Sequence, residues 1–151
     1  MSEIARIQDQ LKRAFEGPAW AGPSVLEALE GVSATRAAKR PIRGAHSIWE
    51  LTLHLAIWAD VVRRRALGES YHPTQVQDWP AVRVKTPAAW AVAIRRLKAG
   101  HQALIDVVAA FDERRLDQPL VPGGNSAYVQ FHGAAQHDLY HAGQIAVLKK
   151  G

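Results

Sequence analysis

The sequence predicts an all-α fold, a four-helix bundle, from three observations. Four long stretches repeat apolar residues at spacings of three and four, the period of a helix with one buried face. No stretch alternates apolar and polar residues convincingly enough to read as a half-buried strand. Gly, Pro and hydroxyl-bearing cap residues punctuate the chain between the four stretches.

The first helix is expected over residues 2–15, with Ile4, Ile7, Leu11, Ala14 and Phe15 as its apolar stripe. Glu16-Gly17-Pro18 stops it. The connection over residues 17–46 carries Trp20, a short helical turn opened by Gly22-Pro23-Ser24, and a second turn over 33–38. Ser47-Ile48-Trp49-Glu50 matches a capping box and starts the second long helix. Its inward stripe is Ile48, Leu51, Leu55, Trp58 and Val62, and Arg63-Arg64-Arg65 with Gly68 marks its end. Residues 68–86 read as irregular and are too long for a tight helical hairpin. Thr86-Pro87 caps the third helix, which runs to residue 111 with Trp90, Ile94, Leu97, Leu104, Ile105 and Val108 inward. After the loop 117–125, Asn125 or Ser126 caps a fourth helix reaching residue 149. At 151 residues, the chain is expected to be one domain spanning 1–151.

Composition narrows the function classes. Hydrophobic residues make up 48% and charged residues 22%, ordinary for a soluble globular protein. The absence of cysteine excludes disulfides, thiolate ligands and a cysteine nucleophile. The N-terminus has no apolar signal core, and no apolar run approaches the roughly 18 residues of a membrane span, so a cytoplasmic protein is expected. The net charge of +5 permits contact with nucleic acid or acidic lipid, but its basic residues are scattered. No aromatic residues interleave with them as a stacking platform requires, so solvated helix faces are expected, with neither nucleic acid nor membrane as a specific partner.

The chemistry concentrates in histidine. His137 and His141 stand four apart on the fourth helix, so both imidazoles lie on one face and can reach one metal ion. His54 falls inside the apolar stripe of the second helix, and His101 shares the inward face of the third. At about 1.5 Å per residue, His54 lies roughly 10 Å from the start of its helix, while His141 and His137 lie about 12 and 18 Å from the end of theirs. These levels match best if the second and fourth helices are antiparallel. That requires one long crossover making the second and third helices parallel, and residues 68–86 are long enough to provide it. The predicted order is therefore up-down-down-up.

The segment His46-Ser47-Ile48-Trp49-Glu50-Leu51-Thr52-Leu53-His54-Leu55-Ala56-Ile57-Trp58, followed far downstream by Gln136-His137-Asp138-Leu139-Tyr140-His141-Ala142-Gly143-Gln144-Ile145, resembles the DinB-like family. Trp20-Ala21-Gly22-Pro23-Ser24 fits the same pattern, so the resemblance covers nearly the whole chain. It implies an up-down-down-up bundle, a three-histidine site for a divalent metal, and a dimer. Mapped here, the implied ligands are His54, His137 and His141. Some relatives transfer low-molecular-weight thiols, as bacillithiol transferases do, some isomerise with mycothiol, and others resemble metal-dependent hydrolases.

Three neutral imidazoles leave a divalent ion with an open position, the mark of a catalytic site, where bound water or thiol becomes a nucleophile near neutral pH. Zinc and nickel are the first choices among the metals such ligands suit. Asp138 and Gln144 are the catalytic candidates. Asp138 follows His137 but reads better as a hydrogen-bonding partner, and Gln144 lies one turn past His141 on the ligand face. His101 is the rival third ligand and reads as a core or supporting residue. His132 points away from the pair, His46 and His72 lie where they can line an entrance, and Gly143 reads as a site of close helix packing. Loops 17–46 and 68–86 are expected to shape a substrate pocket. The functional expectation is a metal-dependent enzyme of small molecules, a hydrolase or thiol-S-transferase-like protein. The alternative is a non-catalytic metal-binding or stress-associated binding protein. A homodimer is also expected, from the resemblance and from five tryptophans in a small bundle.

Overall fold

The computed structural model describes all 151 residues. Its helices are α1 (Glu3–Phe15), α2 (Val25–Leu29), α3 (Ala34–Ala38), α4 (Ile48–Ala66), α5 (Gln75–Asp78), α6 (Pro87–Ala109) and α7 (Ala127–Leu148), with a 3-10 turn at Glu113–Arg115. Each of the four long helices starts at a hydroxyl. Ser2, Ser47, Thr86 and Ser126 accept from the amides of Ala5, Glu50, Ala89 and Val129 at 3.1–3.2 Å. At Ser47 the box closes, since the Ser47 amide donates to Glu50 Oε2 at 2.7 Å. Helix α4 ends in a Schellman motif: Gly68 donates to Arg65 O and Glu69 to Arg64 O, both at 3.0 Å. Gly68 adopts φ 98°, the left-handed geometry that the motif needs and glycine takes at no steric cost.

Helices α1 and α4 each pack against both α6 and α7 and so stand diagonally across the bundle. Chain directions follow from side-chain pairs. Trp49 meets Trp90 at 5.1 Å, and seven and ten residues further on Ala56 faces Gly100, so α4 and α6 run parallel. His54 meets His141 and His137 while Arg65 bonds Gln130, so α4 and α7 are antiparallel. The start of α1 shares a hydrophobic cluster with the end of α6. The order is up-down-down-up, as the histidine levels predicted.

The crossover differs from its expected irregular form. Thr74 and Gln77 make a second capping box, which starts α5. At four residues, α5 is too short for hydrophobic periodicity to reveal. The connection over residues 17–46 also differs from its expected role. Its Val25, Ala28, Leu29, Val32, Ala34 and Ala37 are buried, and Trp90 Nε1 donates to Val32 O at 2.9 Å. This segment closes one end of the core and lines no part of the cavity that His54 and His137 share, although its His46 reaches the indole of Trp79.

The apolar interior is in two parts. One cluster holds the end of α1, the short helices α2 and α3, the starts of α4 and α6 and the end of α7. The other holds the rest of α1, the second halves of α4 and α6 and the start of α7. Between them, at one level of the bundle, lie His54, His101, Asp138 and His141, all buried. No helix is long and apolar enough to cross a membrane.

Candidate metal centre

Helical geometry puts the three expected ligands together. His137 and His141 project from one face of α7, and α4 brings His54 opposite them. His137 Nε2 is 3.0 Å from both His54 Nε2 and His141 Nε2. One ring nitrogen from each residue lies within 4.8 Å of the others. Tetrahedral ligands about 2.0–2.1 Å from zinc stand roughly 3.4 Å apart, so this spacing is close to that of a loaded site.

The outer nitrogens of His54 and His141 are occupied, which decides what their inner ones offer. His54 Nδ1 lies 2.8 Å from Asp78 Oδ1 and 3.2 Å from the Asp78 carbonyl. His141 Nδ1 lies 2.6 Å from Gln144 Oε1. Both acceptors require the proton on Nδ1, leaving the Nε2 lone pairs of both rings aimed at the common point. Such a set of converging lone pairs suits a cation. Burial, then the neighbouring His141 and His54, pushes His137 down to about 3, and burial also lowers His54 and His141. All three rings are therefore neutral at pH 7, as metal ligation requires.

Aromatic stacking fixes the His54 ring. Trp79 lies parallel to it at 3.9 Å, and His46 covers the other face of the indole at 3.6 Å. Trp58 Nε1 donates to Asp78 Oδ1 at 2.7 Å. Helix α5 thus delivers two residues, Asp78 and Trp79, onto one ligand. Sequence reasoning missed both. The available signal was the capping box at Thr74, which announces a helix ending beside them.

The other candidates sort clearly. His101 is 2% exposed, stacks on Phe15 at 3.9 Å, and pairs through Nε2 with Asp138 Oδ2 at 3.0 Å. His101 and Asp138 therefore support each other, and neither belongs to the converging set. Burial raises the Asp138 carboxyl above the usual range, against the opposing pull of His101. Gln144 holds His141 from outside. His132 faces α1, 3.8 Å from Glu3. A side chain at Gly143 would meet nothing within 4 Å, so close packing does not explain that glycine.

A cavity of about 570 Å³ opens beside the site. His54, His137 and Asp78 line one part of it, Trp58 and Val62 its wall, and Arg65 and His72 another part. Val121, Gly124 and Asn125 contribute from the loop before α7, which had no expected part in a pocket.

Fold and site together define a class: helical bundles whose three converging histidines can hold a metal ion at the edge of an open cavity. Residues 19–145 match the family profile of the DinB superfamily, and the chain belongs to that superfamily. No curated protein and no solved structure matches it.

Proposed function

We propose that this protein is a metal-dependent enzyme acting on a small molecule, a hydrolase or a thiol-S-transferase-like protein. The supporting observation is the set of three neutral imidazoles converging beside a cavity large enough for a metabolite. A divalent ion held there, zinc or nickel first, would supply Lewis acidity and lower the pKa of a bound water or thiol. The chain's own residues do the rest. Asp78 and Gln144 fix the tautomers of His54 and His141, and Trp79 holds the His54 plane. Trp58 and Val62 present an apolar wall to the bound molecule.

One observation favours the second reading, a non-catalytic metal-binding or stress-associated binding protein. Both carboxylates that line the cavity are engaged: Asp78 by His54 and Trp58, and Asp138 by His101. Elemental analysis of the purified protein, then a thiol-transfer and esterase screen with and without chelator, separates the two. Chelator-sensitive turnover supports the enzyme. Bound metal without turnover supports the binding protein. His141→Ala should weaken metal binding by orders of magnitude while His132→Ala leaves it unchanged; the reverse would sink the site. Loss of metal in His101→Ala with retention in His54→Ala would mean that the third ligand is His101.

Two partner statements complete the proposal. Arg63 and Arg64 are paired with Asp60 and Glu69, so they fit a solvated face better than a nucleic-acid groove. A homodimer fits the indole of Trp20, which is 102% exposed and takes no part in the core. Light scattering that gives a monomer at micromolar concentration would overturn the dimer.

A further inference from the structure

The three arginines that end α4 have different partners. Arg63 Nη2 lies 2.7 Å from Asp60 Oδ1, and Arg64 Nε lies 2.7 Å from Glu69 Oε2. Arg65 forms no ion pair, although it is the one that lines the cavity. Its polar contacts carry no negative charge: Nε donates to Tyr71 O at 3.0 Å, Nη1 to Gln130 Oε1 at 3.1 Å, and Nη2 lies 3.5 Å from His72 Nδ1. Gln130 is itself oriented, because its Nε2 donates to Asn125 O at 3.0 Å. The guanidinium is thus positioned from two sides without being neutralised. Of its five N–H donors three face these partners, which leaves one on each terminal nitrogen, enough for an end-on bidentate contact.

Burial lowers the Arg65 pKa and no acid opposes it, so a half-buried charge stands without an anion. The acids lining the same cavity cannot serve, since Asp78 and Asp138 are held elsewhere. The distance to the histidines is short. The Arg65 guanidinium carbon is 5.7 Å from the Trp58 ring centroid, which is 6.0 Å from that of His137. Two such steps reach no further than three to four extended residues of chain, on the order of 10–14 Å.

We propose that Arg65 is the recognition residue for a carboxylate on the substrate, whose reacting group sits at the histidine cluster. This rests on the reading of that cluster as a metal site and narrows the substrate to a small carboxylic acid with a metabolite-length spacer. A carboxylate fits better than a phosphate dianion, because one guanidinium balances one negative charge. Trp58 and Val62 take the apolar spacer between the two ends.

The test compares 4-phenylbutyrate with its amide by isothermal titration, using zinc-loaded and chelator-treated protein and the Arg65→Gln variant. The acid should bind about tenfold or more tightly than the amide, with and without zinc. Arg65→Gln should erase that preference and leave the amide's affinity unchanged, a split that a merely structural role would not produce. Equal binding of acid and amide overturns the proposal, as does no binding of either at millimolar concentration. A preference that vanishes with chelator but survives Arg65→Gln places the carboxylate on the metal; it overturns the proposal while upholding the metal reading. An Arg65-dependent preference in protein that takes up no zinc does the opposite. Tighter Arg65-dependent binding of 4-phenylbutylphosphonate than of the acid would replace carboxylate with phosphate and overturn the assignment.

Discussion

Replacing Asp78 by Ala should weaken metal binding without unfolding the bundle. Asp78 Oδ1 is the closest acceptor for His54 Nδ1, at 2.8 Å, and it also takes the Trp58 indole proton at 2.7 Å. Removing a carboxylate that orients a ligating histidine costs about 10–100-fold in affinity, or about 1.4–2.7 kcal/mol. The Asp78 carbonyl, 3.2 Å from the same nitrogen, survives the change and still favours the Nδ1–H tautomer. The loss should therefore fall near the lower end, about tenfold. Asp78→Asn keeps an acceptor oxygen but loses the charge, and charge-assisted bonds are roughly twice as strong as neutral ones, so its effect should be smaller than that of Ala. Competition against a chromophoric chelator measures both variants, with His132→Ala as the control. Affinity in Asp78→Ala within about twofold of the parent would mean that the carboxylate does not support His54, and the assignment fails.

Three further outcomes follow from the geometry. His101→Leu strands Asp138 in the interior and should cost about 3 kcal/mol in denaturant unfolding, with Asp138→Asn milder; a loss under about 1 kcal/mol would show that the pair is not structural. Metal-free protein should be at full stability above about pH 6.5, where the unfolded histidines are also neutral, and should weaken as pH falls. The sign follows from His137, held at about 3 when folded, so the unfolded chain takes up the proton first and each pH unit costs up to about 1.4 kcal/mol. His137→Gln should flatten this slope, and an unchanged slope would contradict it. Ser47→Ala opens the capping box of α4 and should cost about 1 kcal/mol by the same unfolding assay.

What the sequence made legible follows the reach of helical periodicity. The stripe from Ile4 to Phe15, the box at Ser47 and the caps at Thr86 and Ser126 all stand where local spacing placed them. His137 and His141 were readable because four residues make one turn, and His54 because it interrupts an apolar stripe. Asp78 was not readable, since it lies 24 residues from the ring it orients and no period links the two. The pairing of Asp138 with His101, 37 residues away, was hidden for the same reason. The sequence reads Asp138 as a hydrogen-bonding partner and His101 as a core or supporting residue, but that they partner each other depends on how α6 and α7 meet. Arg65 read as one of three interchangeable cations at a helix end. Only the rotation of α4 in the bundle separates it from Arg63 and Arg64.

The buried polar layer across the middle of the bundle has a bearing on folding. Every long helix passes from one apolar cluster to the other at that level: at Ala14 and Phe15 in α1, around His54 in α4, at His101 in α6 and at Asp138 in α7. The two halves are thus coupled through directional contacts that each demand one geometry, whereas apolar packing tolerates many. Hydrogen exchange should register such a seam as two protection levels, one for each half of the same helices. A cation seated on His54, His137 and His141 would span α4 and α7 at the seam and draw the two levels together. For this chain, loading the site and completing the cooperative unit would then be one event.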